Sequence, residues 1–151
     1  MTGASTTKLD RPEPRTRSSW LRQVPRLLVG VVLAATGLGK VLDISGFARV
    51  LATYELGPAW INTLLAYSLP FIELATGICL VASLQLRQVA SIAVGLHVML
   101  LSSVLITLAR GIAVPNCGCF GVFLARPLTP LTAVEDAVML AFSILALRAA
   151  R

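Results

Sequence analysis

The sequence predicts an all-α integral membrane protein, a bundle of four transmembrane helices with a short amphipathic helix between the first and the second. Composition is the first observation, since 56% of the 151 residues are hydrophobic and only 13% are charged, about half the charged fraction of a soluble domain. The second is that four apolar segments are each long enough to cross a hydrocarbon core, which requires about 20 residues. We place these helices at about residues 25–43, 61–84, 88–109 and 130–148.

The chain begins with a basic segment that differs from the rest in composition. Residues 1–25 are polar, rich in arginine and punctuated by Pro12, Pro14 and Pro25, which predicts a disordered cytoplasmic tail. Residues 26–148 are then a single transmembrane domain. The net charge of +6 does not predict nucleic-acid binding, because the cations lie in the tail and at helix ends without interleaved aromatic side chains. They predict membrane topology and contacts with anionic lipids of the bilayer.

The connection between the first two transmembrane segments has helical periodicity. Its apolar residues recur three or four positions apart, at Phe47, Val50, Leu51 and Tyr54. This spacing predicts a short amphipathic helix on the membrane surface.

The cations also predict the orientation. The N-terminal tail, Arg87 in the second connection, and Arg148 and Arg151 at the end of the chain all belong to one side, which the positive-inside rule makes the cytoplasm. Arg110 and Arg126 lie on the other side and are outnumbered. Both termini are therefore expected in the cytoplasm of a bacterial cell with the protein in its inner membrane. The loop before the fourth helix then faces the extracytoplasmic compartment, where disulfides persist.

That loop contains the most chemically informative residues of the chain. Cys117 and Cys119 are separated only by Gly118, and a flexible central residue is what lets two such cysteines approach disulfide distance. So small a ring is strained and therefore easily reduced, as labile or catalytic disulfides are. Asn116 and Gly121 are expected to adopt turn conformations with positive φ. A redox-active pair is the favoured interpretation.

Three other interpretations of the pair stay open: a structural bridge, two inert thiols, or a clip for Cu(I) or Zn. A metal pathway needs further soft ligands, but Met99 and Met139 are isolated in the sequence. Cys79 lies far along the second helix and is expected to be a buried small hydrophobe. We therefore predict no metal site.

Ionisable residues inside the predicted spans suggest a polar pocket beneath the thiols. Such residues cost roughly 2.5–3.5 kcal/mol in a membrane, so they normally have partners or functions. A nearby cation, Lys40 or Arg110, would lower the pKa of a thiol, and carboxylates would relay protons. The residues predicted for this pocket are Lys40, Asp43, Glu73, Glu135 and Asp136.

A purely structural interpretation of these polar residues also stays open. Lys40 would pair with an acidic group, and Glu73, placed near mid-depth and deeper than Lys40, would be protonated or hydrogen-bonded. His97, also near mid-depth, is expected to bond a backbone carbonyl. Glu135 and Asp136 would be anions favoured in the first turn of a helix.

These residues carry a resemblance to a known family. The specific motif is Cys117-Gly118-Cys119-Phe120-Gly121, placed before the fourth helix. Supporting residues in the first half are Gly39-Lys40-Val41-Leu42-Asp43, then Phe47, Leu51 and Tyr54, then Leu69-Pro70, Glu73-Leu74 and Gly77. In these features the chain resembles the methylamine-utilisation MauE family of DoxX-like membrane proteins, over roughly residues 26–148.

The resemblance implies a four-helix membrane protein associated with disulfide handling. It implies a thioredoxin-like partner and a role in processing, transport or maturation of a disulfide-rich client such as the small subunit of methylamine dehydrogenase. Within the motif, Cys117 and Cys119 would be the redox-active pair, with Gly118, Phe120 and Gly121 around it.

The functional hypothesis is therefore a membrane component of a thiol–disulfide system. The chain has no second pair of neighbouring cysteines, which favours a partner-dependent accessory factor over a complete enzyme. Electrons would pass to a quinone or to a partner protein. The alternatives are a transporter or chaperone for a thiophilic metal, a non-catalytic assembly subunit, and a DoxX-like subunit of a quinone-linked oxidoreductase.

Overall fold

The computed structural model describes residues 18–150, and the rest of the predicted tail, residues 1–17, lies outside this part of the chain. The described residues form five helices and no strand. The helices are α1 (Ser18–Leu42), α2 (Ile44–Ala52), α3 (Ala59–Val81), α4 (Leu86–Ala109) and α5 (Pro130–Ala149). Four of them, α1, α3, α4 and α5, are long and apolar enough to cross a membrane. The predicted fold class is confirmed.

The first helix is longer than the sequence predicts. It begins at Ser18, so the prediction of disorder is wrong for residues 18–25. Pro25 lies inside α1 and removes one hydrogen bond from the helical ladder. The residues before it, among them Leu21 and Gln23, are good helix formers, and the helix continues on both sides of the proline.

The four long helices surround a common centre in the order α1, α3, α4, α5, each packing against its two neighbours. One end of this bundle carries α2 and the cysteine loop, which we define as residues 110–129. We call this end of the bundle the cysteine end. The opposite end carries the α3–α4 turn, where the Arg26 guanidinium donates to the Ser83 hydroxyl.

Small residues bring α1 and α3 into direct backbone contact. A Cβ atom added to Gly37 would lie 2.6 Å from the backbone nitrogen of Leu74, and one added to Gly77 would lie 2.4 Å from that of Ala34. Close contact of this kind takes the place of hydrophobic driving force between helices in lipid. The register of α1 against α3 is therefore fixed by glycines.

Helix α2 covers the cysteine end of the bundle. Asp43 caps its N-terminus by accepting a hydrogen bond from the backbone N–H of Gly46 at 2.7 Å, which lowers the pKa of Asp43. The predicted amphipathic helix is present, but its apolar face packs against protein, with Phe47 only 4% exposed. The reason is that α3 extends past the end of α1, and α2 packs against that extension.

Candidate functional site

The cysteine loop folds back on itself through two backbone hydrogen bonds. Leu128 N donates to Val114 O at 3.0 Å, and Cys117 N donates to Arg126 O at 2.8 Å. The second of these bonds places Arg126, nine residues further along the chain, next to Cys117.

The turn around the thiols depends on two glycines and one asparagine. Gly118 has φ +71° and Gly121 has φ +65°, in the region that only glycine occupies without strain. The expectation of positive φ is confirmed for Gly121 and wrong for Asn116, which does not adopt it. Asn116 shapes the turn through its side chain instead. Its Oδ1 accepts from Gly118 N at 2.9 Å and its Nδ2 donates to Gly121 O at 3.1 Å.

The same glycines let the cysteine loop press against its neighbours. A Cβ atom on Gly121 would lie 3.0 Å from the carbonyl oxygen of Gly39, at the end of α1. One on Gly118 would lie 2.8 Å from the Val50 side chain in α2. The loop is thus held between two helices, which fixes where the thiols stand.

The two thiols are close neighbours. Cys117 Sγ and Cys119 Sγ lie 3.3 Å apart, and both cysteines are unpaired. A disulfide requires about 2.05 Å, so a small movement of the turn joins them. Cys117 is buried, at 7% exposure, whereas Cys119 is half-buried. The two residues therefore differ in exposure.

They also differ in acidity. A hydrogen bond donated by the Cys119 thiol lowers the pKa of Cys117 to about 5, and the nearby Arg126 guanidinium contributes in the same direction. Donation to the Cys117 sulfur, together with burial, raises the pKa of Cys119. At neutral pH the pair is a Cys117 thiolate beside a Cys119 thiol, and the thiolate is the species that reacts.

The cation beside the thiols is Arg126, which the sequence indicated only as a topology signal. Arg126 Nη1 lies 2.9 Å from Glu135 Oε1 on α5, which anchors its guanidinium next to Cys117. Arg110, which was expected to serve the thiols, instead donates to the backbone oxygen of Glu55 at 2.7 Å. No spacing in the sequence indicates Arg126, because the fold of the loop brings it there.

Tyr54 is a second residue of the site that the sequence did not assign. Its hydroxyl donates to the Cys117 carbonyl oxygen at 2.6 Å, which ties the cysteine turn to the end of α2. Burial, followed by the nearby thiols, raises the pKa of Tyr54, so the phenol remains a donor. The helical spacing that marks Tyr54 as apolar does not reveal this hydrogen bond.

Beneath the cysteine loop lies a cavity of about 260 Å³ in the centre of the bundle. All five helices contribute to its walls, which are mainly apolar. Both thiols border it, and so do three residues of the predicted polar pocket: Lys40, Glu135 and Asp136. The thiols therefore face a space inside the membrane-spanning part of the protein as well as the loop surface.

The other two predicted pocket residues do not border this cavity. Glu73 is fully buried and lies behind Lys40, whose Nζ is 2.7 Å from Oε1 and 2.6 Å from Oε2 of its carboxylate. Asp43 is occupied as the cap of α2. The structure thus separates a buried ion pair from the surface cap, although the sequence grouped the two carboxylates.

The Lys40–Glu73 pair corrects the predicted depths. Counting residues placed Glu73 well below Lys40, yet their charged groups are in contact. Because α3 extends past the end of α1, the last turn of α1 lies lower in the bundle than its position in the sequence indicates. Glu135 and Asp136 also lie beyond the first turn of α5, which carries no acidic residue, so the helix-terminus interpretation of these two is wrong.

His97 makes the predicted bond to a backbone carbonyl. Its Nδ1 lies 2.8 Å from Ala93 O and 3.1 Å from the Ser143 hydroxyl. A carbonyl oxygen only accepts, so Nδ1 carries the proton. His97 is 3% exposed and borders the cavity.

The remaining sulfur atoms are arranged differently from the sequence-based expectation. Met99 and Met139, isolated in the sequence, both border the cavity beneath the thiols. Cys79 is half-buried and packs against the main hydrophobic core. Within residues 18–150, no group of three or more His, Cys, Asp and Glu residues forms a metal-holding cluster.

Comparison with known proteins identifies the family. The model of the family described as methylamine utilisation protein MauE matches residues 18–149, which include all five helices and the cysteine loop. The chain belongs to the MauE family. The resemblance found in the sequence is thereby confirmed.

Two MauE relatives show how far the similarity extends. The methylamine utilization protein MauE of Methylophilus methylotrophus is 30% identical over 93 residues, which cover 62% of this chain and 49% of that protein. The methylamine utilization protein MauE of Paracoccus denitrificans is 24% identical over 119 residues, covering 79% and 64% respectively. The matched part of this chain thus spans about half of the first relative and 64% of the second. No solved structure matches.

Proposed function

We propose that this MauE-family protein is a membrane component of a thiol–disulfide system that matures a disulfide-rich extracytoplasmic protein. The observation that carries the proposal is the Cys117–Cys119 pair, with sulfurs 3.3 Å apart and opposite shifts in pKa. Inert thiols and structural bridges do not require this asymmetry, whereas exchange through a mixed disulfide uses it.

The asymmetry assigns a role to each sulfur. A thiolate of a partner protein attacks the sulfur of Cys119, the more exposed residue of the oxidised pair, and the S–S bond breaks. Cys117 leaves as a thiolate stabilised by Arg126, and a thiol of lower pKa leaves faster. A second partner thiolate then attacks the partner sulfur of the mixed disulfide, and Cys119 departs and takes up a proton. The partner gains a disulfide and the pair becomes a dithiol; the reverse sequence reduces a partner.

The solvent exposure of the two residues favours Cys119 over Cys117 as the cysteine that bonds to the partner. Cys117 is only 7% exposed, whereas Cys119 is half-buried. Cys117 is better placed to resolve the mixed disulfide by attacking Cys119.

The partner and client are proposed from the orientation and the family. The positive-inside rule places the cysteine loop outside the cytoplasm, where a thioredoxin-like protein would reach it. The relatives are named for methylamine utilisation, so the proposed client is a disulfide-rich protein of that process, such as the methylamine dehydrogenase small subunit. A chain with one cysteine pair depends on such partners, so we propose an accessory factor.

A trapped mixed disulfide tests the proposal. In acid-quenched membranes, Cys117→Ser should accumulate an adduct through Cys119, detected by non-reducing electrophoresis, with the partner identified by mass spectrometry. Cys119→Ser should give little adduct, and Cys79→Ser is the matched control with none. If neither loop variant forms an adduct and the purified pair is not oxidised by glutathione disulfide, the redox function is excluded.

A second candidate function is transport or delivery of a thiophilic metal ion such as Cu(I). The observation that favours it is the position of Met99 and Met139, whose side chains border the same cavity as the two thiols. Thiolates and thioethers are the ligands that select Cu(I). Stoichiometric Cu(I) binding that is weakened by Met99→Leu and Met139→Leu, with no mixed disulfide in the cysteine variants, would favour this function over thiol exchange.

A further inference from the structure

We propose that the cavity beneath the cysteine loop binds the head group of a lipid-soluble quinone, which accepts the electrons of the Cys117–Cys119 dithiol. This inference rests on the proposed thiol–disulfide function and names the acceptor that the function requires.

The chain cannot pass electrons to a second dithiol of its own. It has three cysteines in all, and Cys79 packs in the main core without bordering the cavity. Each time the pair oxidises a partner it becomes a dithiol, which must then lose two electrons and two protons. The acceptor must reach sulfurs that face the centre of a membrane-spanning bundle.

The cavity has the size and character of a small-molecule site. Its volume is about 260 Å³, slightly below the roughly 300–1,000 Å³ found for ligand pockets and far above the ~30 Å³ share of one water. Its walls are mainly apolar, and all four helices that are long and apolar enough to span the bilayer contribute to them. An apolar ring compound dissolved in the membrane matches this environment.

His97 supplies a hydrogen-bond acceptor in this cavity. Since Nδ1 donates to the Ala93 carbonyl at 2.8 Å, the neutral ring leaves Nε2 as an acceptor. Nε2 has no hydrogen-bond partner among residues 18–150, although His97 is only 3% exposed. The cavity that His97 borders leaves room for a donor at this nitrogen, and the hydroxyl of a quinol would supply one.

Lys40 supplies the complementary donor. Its ammonium group contacts both carboxylate oxygens of Glu73, and with three N–H bonds it retains donor capacity towards the cavity that it borders. A quinone carbonyl accepts from such a group. A donor on α1 and an acceptor on α4 thus border the same cavity, one for each of the two oxygen atoms of a quinone or quinol.

The proposed step balances in atoms and electrons. The S–S bond forms between Cys117 and Cys119, and the pair loses two electrons. The quinone takes up those electrons, and its two carbonyl groups become hydroxyl groups with two protons. One proton comes from the Cys119 thiol, and the other replaces the proton that Cys117 has already released to solvent. No further oxidant is needed.

Purified full-length protein in lipid nanodiscs tests the inference, with decylubiquinone as the probe. The reduced protein should reduce one decylubiquinone for each disulfide formed, followed by quinone absorbance and thiol loss. His97→Leu should weaken binding of the reduced probe about tenfold, the loss expected for one hydrogen bond. Leu100→Trp, which fills the cavity from α4, should abolish the reaction, and Leu105→Trp, on the half-exposed outer face of the same helix, is the matched control.

The outcomes separate this inference from the proposed function. If glutathione disulfide oxidises the pair normally but decylubiquinone neither binds nor reacts, the quinone site is excluded and thiol exchange stands. If neither oxidant reacts, both proposals fail. If Leu100→Trp and Leu105→Trp bind and reduce the probe equally, the cavity is not the site, and a lipid acyl chain is its better occupant.

Discussion

At the scale of single residues, the site depends on the unequal environments of two identical side chains. Cys117 and Cys119 lie in the same turn. Cys117 is buried beside Arg126 and accepts a hydrogen bond, whereas the Cys119 thiol donates it. The sequence predicts the pair and the glycines around it, because both follow from local geometry. It does not predict the asymmetry, since Arg126 and Tyr54 reach Cys117 only through the folded loop.

The acidity of Cys117 leads to a pH prediction. Its pKa is lowered to about 5, so the thiolate fraction rises as pH increases through that value. Alkylation by iodoacetamide should therefore reach a plateau at neutral pH. Arg126→Gln removes a stabilising cation, and Cys119→Ala removes the donor, so each should move the inflection to higher pH.

Arg110→Gln provides the control for this titration. Arg110 also flanks the cysteine loop but interacts with Glu55, so its removal should leave the profile unchanged. Equal shifts in the Arg110 and Arg126 variants, measured by mass spectrometry of the alkylated Cys117 peptide, would contradict the assignment of Arg126.

Alanine substitutions at two glycines of the loop distinguish the effect of backbone strain from the effect of close packing. Gly121 (φ +65°) and Gly111 (φ +68°) have nearly the same conformation, but only Gly121 faces a neighbour, the Gly39 carbonyl. Alanine at either position should cost roughly 1–2 kcal/mol for the left-handed conformation. Gly121→Ala should in addition displace the turn and change the alkylation profile of Cys117. Thermal unfolding and alkylation of both variants test this, and an unchanged profile in Gly121→Ala would argue against it.

At the scale of the helices, length and type were predictable but relative position was not. Bilayer thickness sets the length of a span, and this constraint is visible as four apolar segments. The offset between α1 and α3 depends on which glycines meet, as at Gly37 and Leu74. No periodicity in the sequence encodes that offset, so the contact between Lys40 and Glu73 was missed.

The Lys40–Glu73 pair predicts a large effect of removing one charge. Lys40→Met leaves a buried carboxylate without its partner, and breaking a buried pair typically costs about 3–5 kcal/mol. The double variant Lys40→Met with Glu73→Gln should recover much of this loss, because no unpaired charge remains. Glu55→Gln, in the exposed pair with Arg110, should cost less than about 1 kcal/mol.

Unfolding of Lys40→Met, Glu73→Gln and the double variant in detergent, analysed as a double-mutant cycle, measures the coupling between Lys40 and Glu73. A double variant as unstable as Lys40→Met alone would show that the ion pair does not account for the loss. It would also direct attention to the Lys40 contact with Phe47, whose ring centroid lies 5.3 Å from Nζ.

At the scale of the whole molecule, the two ends of the bundle have different chemistry. The cysteine end carries the thiols and the helix α2 that covers the bundle, and both border the cavity. The opposite end carries the short α3–α4 turn and the last residues of α5. Hydropathy predicts the number of helices and hence that these features lie at opposite ends, but the cavity between them depends on packing that composition does not specify.

The orientation of the bundle supplies the last prediction. The positive-inside rule assigns the cysteine end to the extracytoplasmic side, because Arg26, Arg87 and Arg148 belong to the other end. After reduction of intact cells, a membrane-impermeant maleimide should label Cys119 and leave Cys79 unlabelled, since Cys79 packs within the core. Ala82→Cys, placed in the exposed α3–α4 turn of a variant lacking the native cysteines, should be labelled only after the inner membrane is opened. The reverse pattern would place the thiols in the reducing cytoplasm, where disulfides are rare, and would remove the basis for an extracytoplasmic partner.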